Sequence, residues 1–226
     1  MARSDEQNRR ARERARESIL VAAIDVVSER GVSGASVAEI TARAGVAQGL
    51  VSYHFGGKDQ LVAAVIDRWF ETLFGIARAE GSPDEILAGV IDGALRATAY
   101  ALPVQRAVFA LQQQPGTHRL FAESEERHAD QVAASEDAVR ALFRARGAAD
   151  PALEEIMLRS TLEGIFMKYA VYGDTFPLED ARRWMRRQYG LPEPQEPLRP
   201  DLPPRPADLR LRASGALRVA APDRRP

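Results

Sequence analysis

The sequence predicts an all-α fold: an N-terminal three-helix domain containing a helix-turn-helix, followed by a larger C-terminal helical domain. Apolar residues recur at spacings of three and four along most of the chain, and no segment alternates with period two. Helix start and stop signals, namely Ser, Pro and capping Glu at one end and Gly at the other, punctuate it at short intervals.

The first helix is expected over 10–30, where Ile19, Ala22, Ala23, Val26 and Val27 keep the helical period and Gly31 stands at the left-handed cap position. Ser36 followed by Glu39 reads as a capping box, opening a second helix over 37–44 that Gly45 closes. A short third helix follows Val46 and finishes by Phe55. The glycines of "GGK" then turn the chain into a long helix over 58–79. Ser82, Pro83 and Glu85 start a helix to about Ala101, and Pro103 starts another. Pro115-Gly116 breaks the chain before a long charged helix over 117–146. Asp150-Pro151 opens a helix to Tyr172, and a last one runs over 177–189. From Leu191 onward nine of the fourteen prolines crowd into the final 36 residues, a composition too poor in apolar surface to offset ordering entropy. The expected organisation is therefore an arm and helix-turn-helix domain over 1–57, a helical domain over 58–190 and a disordered tail over 191–226.

At 226 residues and 45% hydrophobic content the chain can bury a sizeable core. It has no cysteine, which excludes disulfide scaffolds, thiolate zinc sites and cysteine nucleophiles and fits a reducing compartment. The arginines before "ILVAAIDVV" imitate a secretory leader, but Asp25 interrupts the run and the acidic "SER" follows it. No run approaches the roughly 18 apolar residues of a spanning helix, so a cytoplasmic protein without membrane partners is expected. The net charge of −1 means that any nucleic-acid role rests on local basic groups.

Two short helices joined at Gly45 form a helix-turn-helix, the device that lays its second helix in the DNA major groove. Val51 and Phe55 are four apart and face the core, with Val46 stapling the entry. The opposite strip then holds Gln48, Gly49, Ser52 and Tyr53. Gln48 suits paired hydrogen bonds to adenine, Ser52 several base edges, and Leu50 a thymine methyl. Tyr53, His54 and Lys58 suit phosphate oxygens, and Ser36 suits a phosphate at the start of the second helix besides its capping role. Gly49 costs about 1 kcal/mol relative to Ala in a helix interior, which close approach of the backbone to a groove wall would offset. Arg9, Arg10, Arg12, Arg14 and Arg16 form a basic arm for phosphates or the minor groove, or else a solvated helix with an Arg9–Glu13 ion pair.

The segments "ESILVAAIDVVSERG" and "SVAEITARAGVAQGLVSYHFGGKDQL" resemble, over residues 15–66, the DNA-binding domain of the tetracycline-repressor (TetR) family of transcription regulators. "GLVSYHFGGKDQL" is most similar to the subgroup that includes the choline-responsive repressor of betaine synthesis. The resemblance implies groove and phosphate contacts from Gln48, Gly49, Ser52, Tyr53, His54 and Lys58. Leu50 and Ser52 replace a threonine and a tyrosine frequent in the family's helix.

Beyond residue 80 the resemblance is one of helix number and order. It implies an effector pocket and a homodimer built on the last two helices, binding a palindromic double-stranded operator as a repressor or, alternatively, an activator. Leu158, Leu162, Ile165, Phe166 and Tyr169 form the expected dimer face. Trp69, Phe70, Phe74, Tyr100, Phe109, His118, Phe121, Phe166 and Tyr169 are the candidate effector residues; if the choline likeness carries over, they would cage a quaternary ammonium. An architectural DNA-binding protein needs fewer aromatic-containing helices. A di-iron bundle needs a second motif beside Glu125 and His128, and "GGKD" lacks the Ser or Thr and the spacing of a phosphate loop. No enzyme, metal or cofactor is expected, and the effector is not specified.

Overall fold

The computed structural model describes residues 2–74, 81–205 and 207–212, with side chains over 6–72 and the last two ranges. Every regular element among the described residues is helical. These are α1 (Ala2–Gly34), α2 (Val37–Ala44), α3 (Gly49–Phe55), α4 (Lys58–Phe74), α5 (Pro83–Tyr100), α6 (Leu102–Gln112), α7 (His118–Arg127), α8 (Ala129–Ala145), α9 (Pro151–Tyr172) and α10 (Leu178–Gln188). The chain packs into two units, one holding residues 1–71 and 103–129, the other 72–102 and 130–226. The boundary expected after Gly57 therefore falls inside the first unit.

In the first unit α1 begins earlier than the sequence suggests, because the arginine-rich segment continues the helix. Ile19, Ala22, Ala23, Val26 and Val27 are all buried. The helix breaks at Gly31 (φ 69°, ψ 179°), a backbone conformation that favours glycine. At α2, Ser36 Oγ accepts from the Glu39 N–H at 3.1 Å. The reciprocal half of the expected capping box gives way to an ion pair between Glu39 and Arg30 at 2.5 Å. Leu61, Val65 and Ile66 of α4, Val108 and Leu111 of α6 and Leu120 of α7 are buried. The part of the fourth helix expected over 75–79 lies outside the described residues.

The single helix expected over 117–146 is two. The backbone leaves helical values at His128 (φ −105°, ψ 7°), whose N–H is shared by the Ser124 and Glu125 carbonyls. Its ring Nδ1 also lies 2.9 Å from the Ser124 carbonyl. Side-chain bonding to the preceding turn competes with helix propagation there.

The second unit centres on α5, which packs on α9 and α10. Ser82 and Glu85 form the full capping box at its start, with Glu85 N–H to Ser82 Oγ at 3.3 Å and Ser82 N–H to Glu85 Oε2 at 2.8 Å. Leu87, Ile91, Leu95 and Ala99 form its inward stripe, packed with Leu142, Phe143, Leu158, Ile165, Tyr169 and Met185.

The region after Leu191 corrects the expectation of a disordered tail, at least as far as Leu202. Leu191 and Leu198 are buried in this core. Arg182, itself buried, donates to both Asp92 oxygens at 2.8 and 2.7 Å and to the Glu196 carbonyl at 2.7 Å. The Leu198 N–H reaches Glu179 at 3.0 Å, and Arg199 reaches the Ala99 carbonyl at 3.1 Å. Segment-average composition conceals two leucines with pockets to fill, while the prolines between them lower the entropy lost on ordering. Residues 213–226 lie outside the described residues.

Candidate nucleic-acid interface

The short α3 is positioned by three local devices. Gly45 (φ 68°, ψ 33°) ends α2 in the left-handed region, and the Val46 N–H returns to the Thr41 carbonyl at 3.0 Å. Val51 is 1% exposed and anchors the helix to the first unit. Gly56 (φ 83°) and Gly57 (φ 143°) then reverse the chain into α4, whose first carbonyl-directed bond runs from the Leu61 N–H to Gly57 at 3.1 Å.

With Val51 inward, Gln48, Gly49, Ser52 and Tyr53 are exposed, Tyr53 at 65%. The structure brings these four onto one outward strip. Tyr53 and His54 meet edge to face with centroids 4.9 Å apart, His54 half-buried. Leu50 and Phe55 are also half-buried. Ser36 is exposed, and with its oxygen accepting from Glu39 its hydroxyl proton remains available. The Lys58 ammonium donates to the Val32 carbonyl at 3.4 Å, leaving two of its three protons.

A Cβ added at Gly49 would meet no atom of the chain within 4 Å. Neither internal packing nor a positive φ explains this glycine. Two carboxylates of this unit are held by forked arginines. Arg43 forks onto Glu29 at 2.6 and 2.7 Å and Arg68 onto Glu17 at 2.9 and 2.8 Å, and these hydrogen bonds hold both carboxyls below their usual range. The negative charge of these two carboxylates, which would repel a polyanion, is thereby neutralised.

In the arm the expected Arg9–Glu13 ion pair is present at 3.3 Å, and Arg9 and Arg10 also hold Glu6. Arg16 lies over the Phe55 ring, 4.9 Å from its centroid.

The candidate effector residues divide between the units. Trp69, Phe70, Phe109, His118 and Phe121 belong to the first, Tyr100, Phe166 and Tyr169 to the second. The side chain of Phe74 lies outside the described residues. His118 is exposed with its Nε2 3.2 Å from the Gln112 carbonyl, Tyr100 is exposed beneath the Arg199 guanidinium, and Tyr169 is core. Phe109, Phe121 and Phe166 are half-buried. Phe70 is buried and stacks on His128, with centroids 5.0 Å apart and planes 12° apart. Two atoms missed by sequence reasoning are Trp69 Nε1 and Gln105 Oε1, both buried in the first unit without a hydrogen-bond partner. No sequence pattern marks them.

The expected dimer face also needs correction. Leu158, Ile165 and Tyr169 pack into the second unit's own core, with Leu162 against it, and Phe166 is half-buried. The apolar residues that α9 leaves exposed are Leu153, Ile156, Met157 and Met167, at 41–53%, and α10 adds Trp184 at 47%. Helix α9 is apolar on nearly all sides, so periodicity alone could not decide which stripe turns inward. The repeat 153, 156, 157, 160, 164, 167 was the available signal for a second one.

A short helix held by one buried valine and presenting a polar strip with an unexplained glycine, in a chain of helices alone among the described residues, defines a helix-turn-helix protein of the DNA-binding class. Residues 19–65 match the model of the bacterial regulatory proteins of the tetR family. An HTH-type transcriptional repressor of Mycobacterium tuberculosis is 42% identical over 91 residues, which are 40% of this chain and 48% of the relative, so the match spans about half of that protein. The HTH-type regulator BetI of Ectopseudomonas mendocina is 27% identical over 182 residues, 74% of this chain and 88% of the relative. A transcriptional regulator from Rhodococcus sp. RHA1 shares the fold with a TM-score of 0.64 at 23% identity, covering 77% of this chain and 94% of its own. No helix among the described residues is long and apolar enough to cross a membrane.

Proposed function

We propose that the chain is a sequence-specific, dimeric transcription regulator: a repressor that holds a palindromic DNA operator and leaves it when a small molecule binds. The observation that carries this reading is Gly49. It sits on the exposed strip with Gln48, Ser52 and Tyr53, and a Cβ there would meet nothing within 4 Å. A glycine that the protomer does not need suits a backbone that a groove wall must approach. Gln48 and Ser52 read base edges, Leu50 borders them, and Tyr53, His54, Lys58 and Ser36 hold phosphates. Repression is favoured by the similar mycobacterial protein, a transcriptional repressor by its description.

The test separates the two kinds of contact. Tyr53→Ala is expected to weaken binding to every duplex, and Gln48→Ala to relax preference at one base position by about 1–3 kcal/mol. Wild-type affinity and preference in both variants overturns the reading.

Dimerisation through Ile156, Met157, Met167 and Trp184 follows from their exposure on α9 and α10. An isologous pair of such faces would place two α3 helices on half-sites about one helical turn apart. For the effector, an unpartnered buried donor and acceptor each cost about 1–3 kcal/mol, and a ligand supplying an acceptor to Trp69 Nε1 or a donor to Gln105 Oε1 removes that cost. The ligand acts only through its preference for the dimer state whose half-site spacing is wrong.

A further inference from the structure

The face of α1 that turns toward the head changes chemistry along its length. Ile19, Ala23 and Val26, spaced four and three apart, are 0–1% exposed and lie on the inward row of the helix. Continuing that row backwards by the same spacings gives Arg16, Arg12 and Arg9. The inward row thus passes from apolar to cationic where α1 extends beyond the head. The outward row behaves differently: Arg10, Arg14 and Glu17 continue into Val21, which is 46% exposed. Arg16 fixes the direction of the inward row, since its guanidinium lies over the ring of Phe55, the last residue of α3.

The arginines also differ in what they hold. Arg9 is bound to Glu6 and Glu13, and Arg10 to Glu6. Arg12, Arg14 and Arg16 form no ion pair among the described residues, and after the Arg68 hydrogen bond the Arg16 charge helps to hold the Glu17 carboxyl below its usual range, so it is the row each stands on that separates Arg12 and Arg16 from Arg14. A helix face that passes from apolar to cationic beside α3, with Arg12 and Arg16 outside any ion pair, fits a polyanion lying alongside it.

We infer that Arg12 and Arg16 form a phosphate track, gripping the DNA backbone on the flank of the site that α3 reads, while Arg10 and Arg14 serve only solubility. This rests on the DNA-binding reading proposed above. The two guanidinium groups rise about 6 Å apart along α1, roughly two nucleotide steps of one strand. Such contacts carry no sequence information; they add affinity and salt dependence.

The experiment uses the full chain and a 40-base-pair duplex enriched from a random pool by the wild-type protein, with affinity measured between 50 and 200 mM salt. Each lost phosphate contact removes about 0.9 from the slope of log affinity against log salt. Arg12→Ala/Arg16→Ala is expected to lower the slope by about two, so that its deficit relative to wild type shrinks roughly tenfold across that salt range. Arg10→Ala/Arg14→Ala is expected to leave the slope alone, and Arg12→Lys/Arg16→Lys to restore it. Arg12→Gln by itself, distant from the Phe55 contact, is expected to remove about half the effect, which keeps the test sound if loss of Arg16 disturbs folding. Equal slopes for the inward and outward double variants overturn the track while leaving the DNA reading intact. A wild-type chain that enriches no duplex overturns both.

Discussion

Gly49 joins two properties that usually compete. Its backbone is helical, and its Cα faces open space. Gly49→Ala is therefore expected to stabilise the folded chain, by up to about 1 kcal/mol from helix propensity, while weakening operator binding. Thermal unfolding and a titration with duplex on the same variant check both signs, and a variant that binds as well as wild type contradicts the role given to this residue. A second residue-scale expectation concerns the Arg68 fork on Glu17. The hydrogen bond from Arg68 holds the Glu17 carboxyl below its ordinary value, so the folded state binds fewer protons there than the unfolded chain. Its stabilisation is present above the unfolded value of about 4.3 and is lost as pH falls through the depressed folded value. Glu17→Gln is expected to flatten that acid limb of stability, measured by Tm against pH from 6 to 3.

At the scale of elements, the segment from Leu191 to Leu202 behaves as part of the second unit. Truncation after Gly190 removes Leu198, worth about 1.5–3 kcal/mol of burial, and leaves the Asp92-bound Arg182 without its Glu196 carbonyl. Tm is expected to fall by roughly 2–4 °C for each kcal/mol lost; an unchanged Tm contradicts the packing of this segment. Reading this from sequence fails because disorder is inferred from averages, and two buried leucines hardly move the average. Local signals fare better. Ser36, Gly45, Ser82 and Gly173 each stand at the end of a helix that the sequence places within a residue or two, because capping and positive φ depend on near neighbours. The outward strip of α3 is legible for the same reason, since one buried valine fixes the rotation of a seven-residue helix. The orientation of α9 is not legible, because both of its sides are apolar and tertiary contacts choose between them. The break at His128 likewise depends on a side chain bonding to its own preceding turn.

For the molecule as a whole, the proposed function couples a reading helix to self-association. Ile156→Glu/Met157→Glu places charges on the exposed stripe of α9 and is expected to give monomers in sedimentation, with operator affinity falling together with the dimer fraction. A stable dimer in that variant contradicts the α9 interface. Release by an effector requires a preference of about 5.5 kcal/mol for the DNA-incompetent state to carry the population from mostly bound to mostly free. Trp69→Phe and Gln105→Leu, which remove the two unpartnered polar atoms, are expected to leave DNA binding intact and blunt that release. Whether α3 reads duplex DNA as one half of a symmetric pair is tested by enrichment of random duplexes with the full chain followed by sequencing. The predicted result is a palindrome whose half-site centres lie about 10 base pairs apart or a multiple of that, with one position in each half relaxed by Gln48→Ala. Enrichment of nothing, or of a motif without two-fold symmetry that Gln48→Ala leaves unchanged, would contradict it.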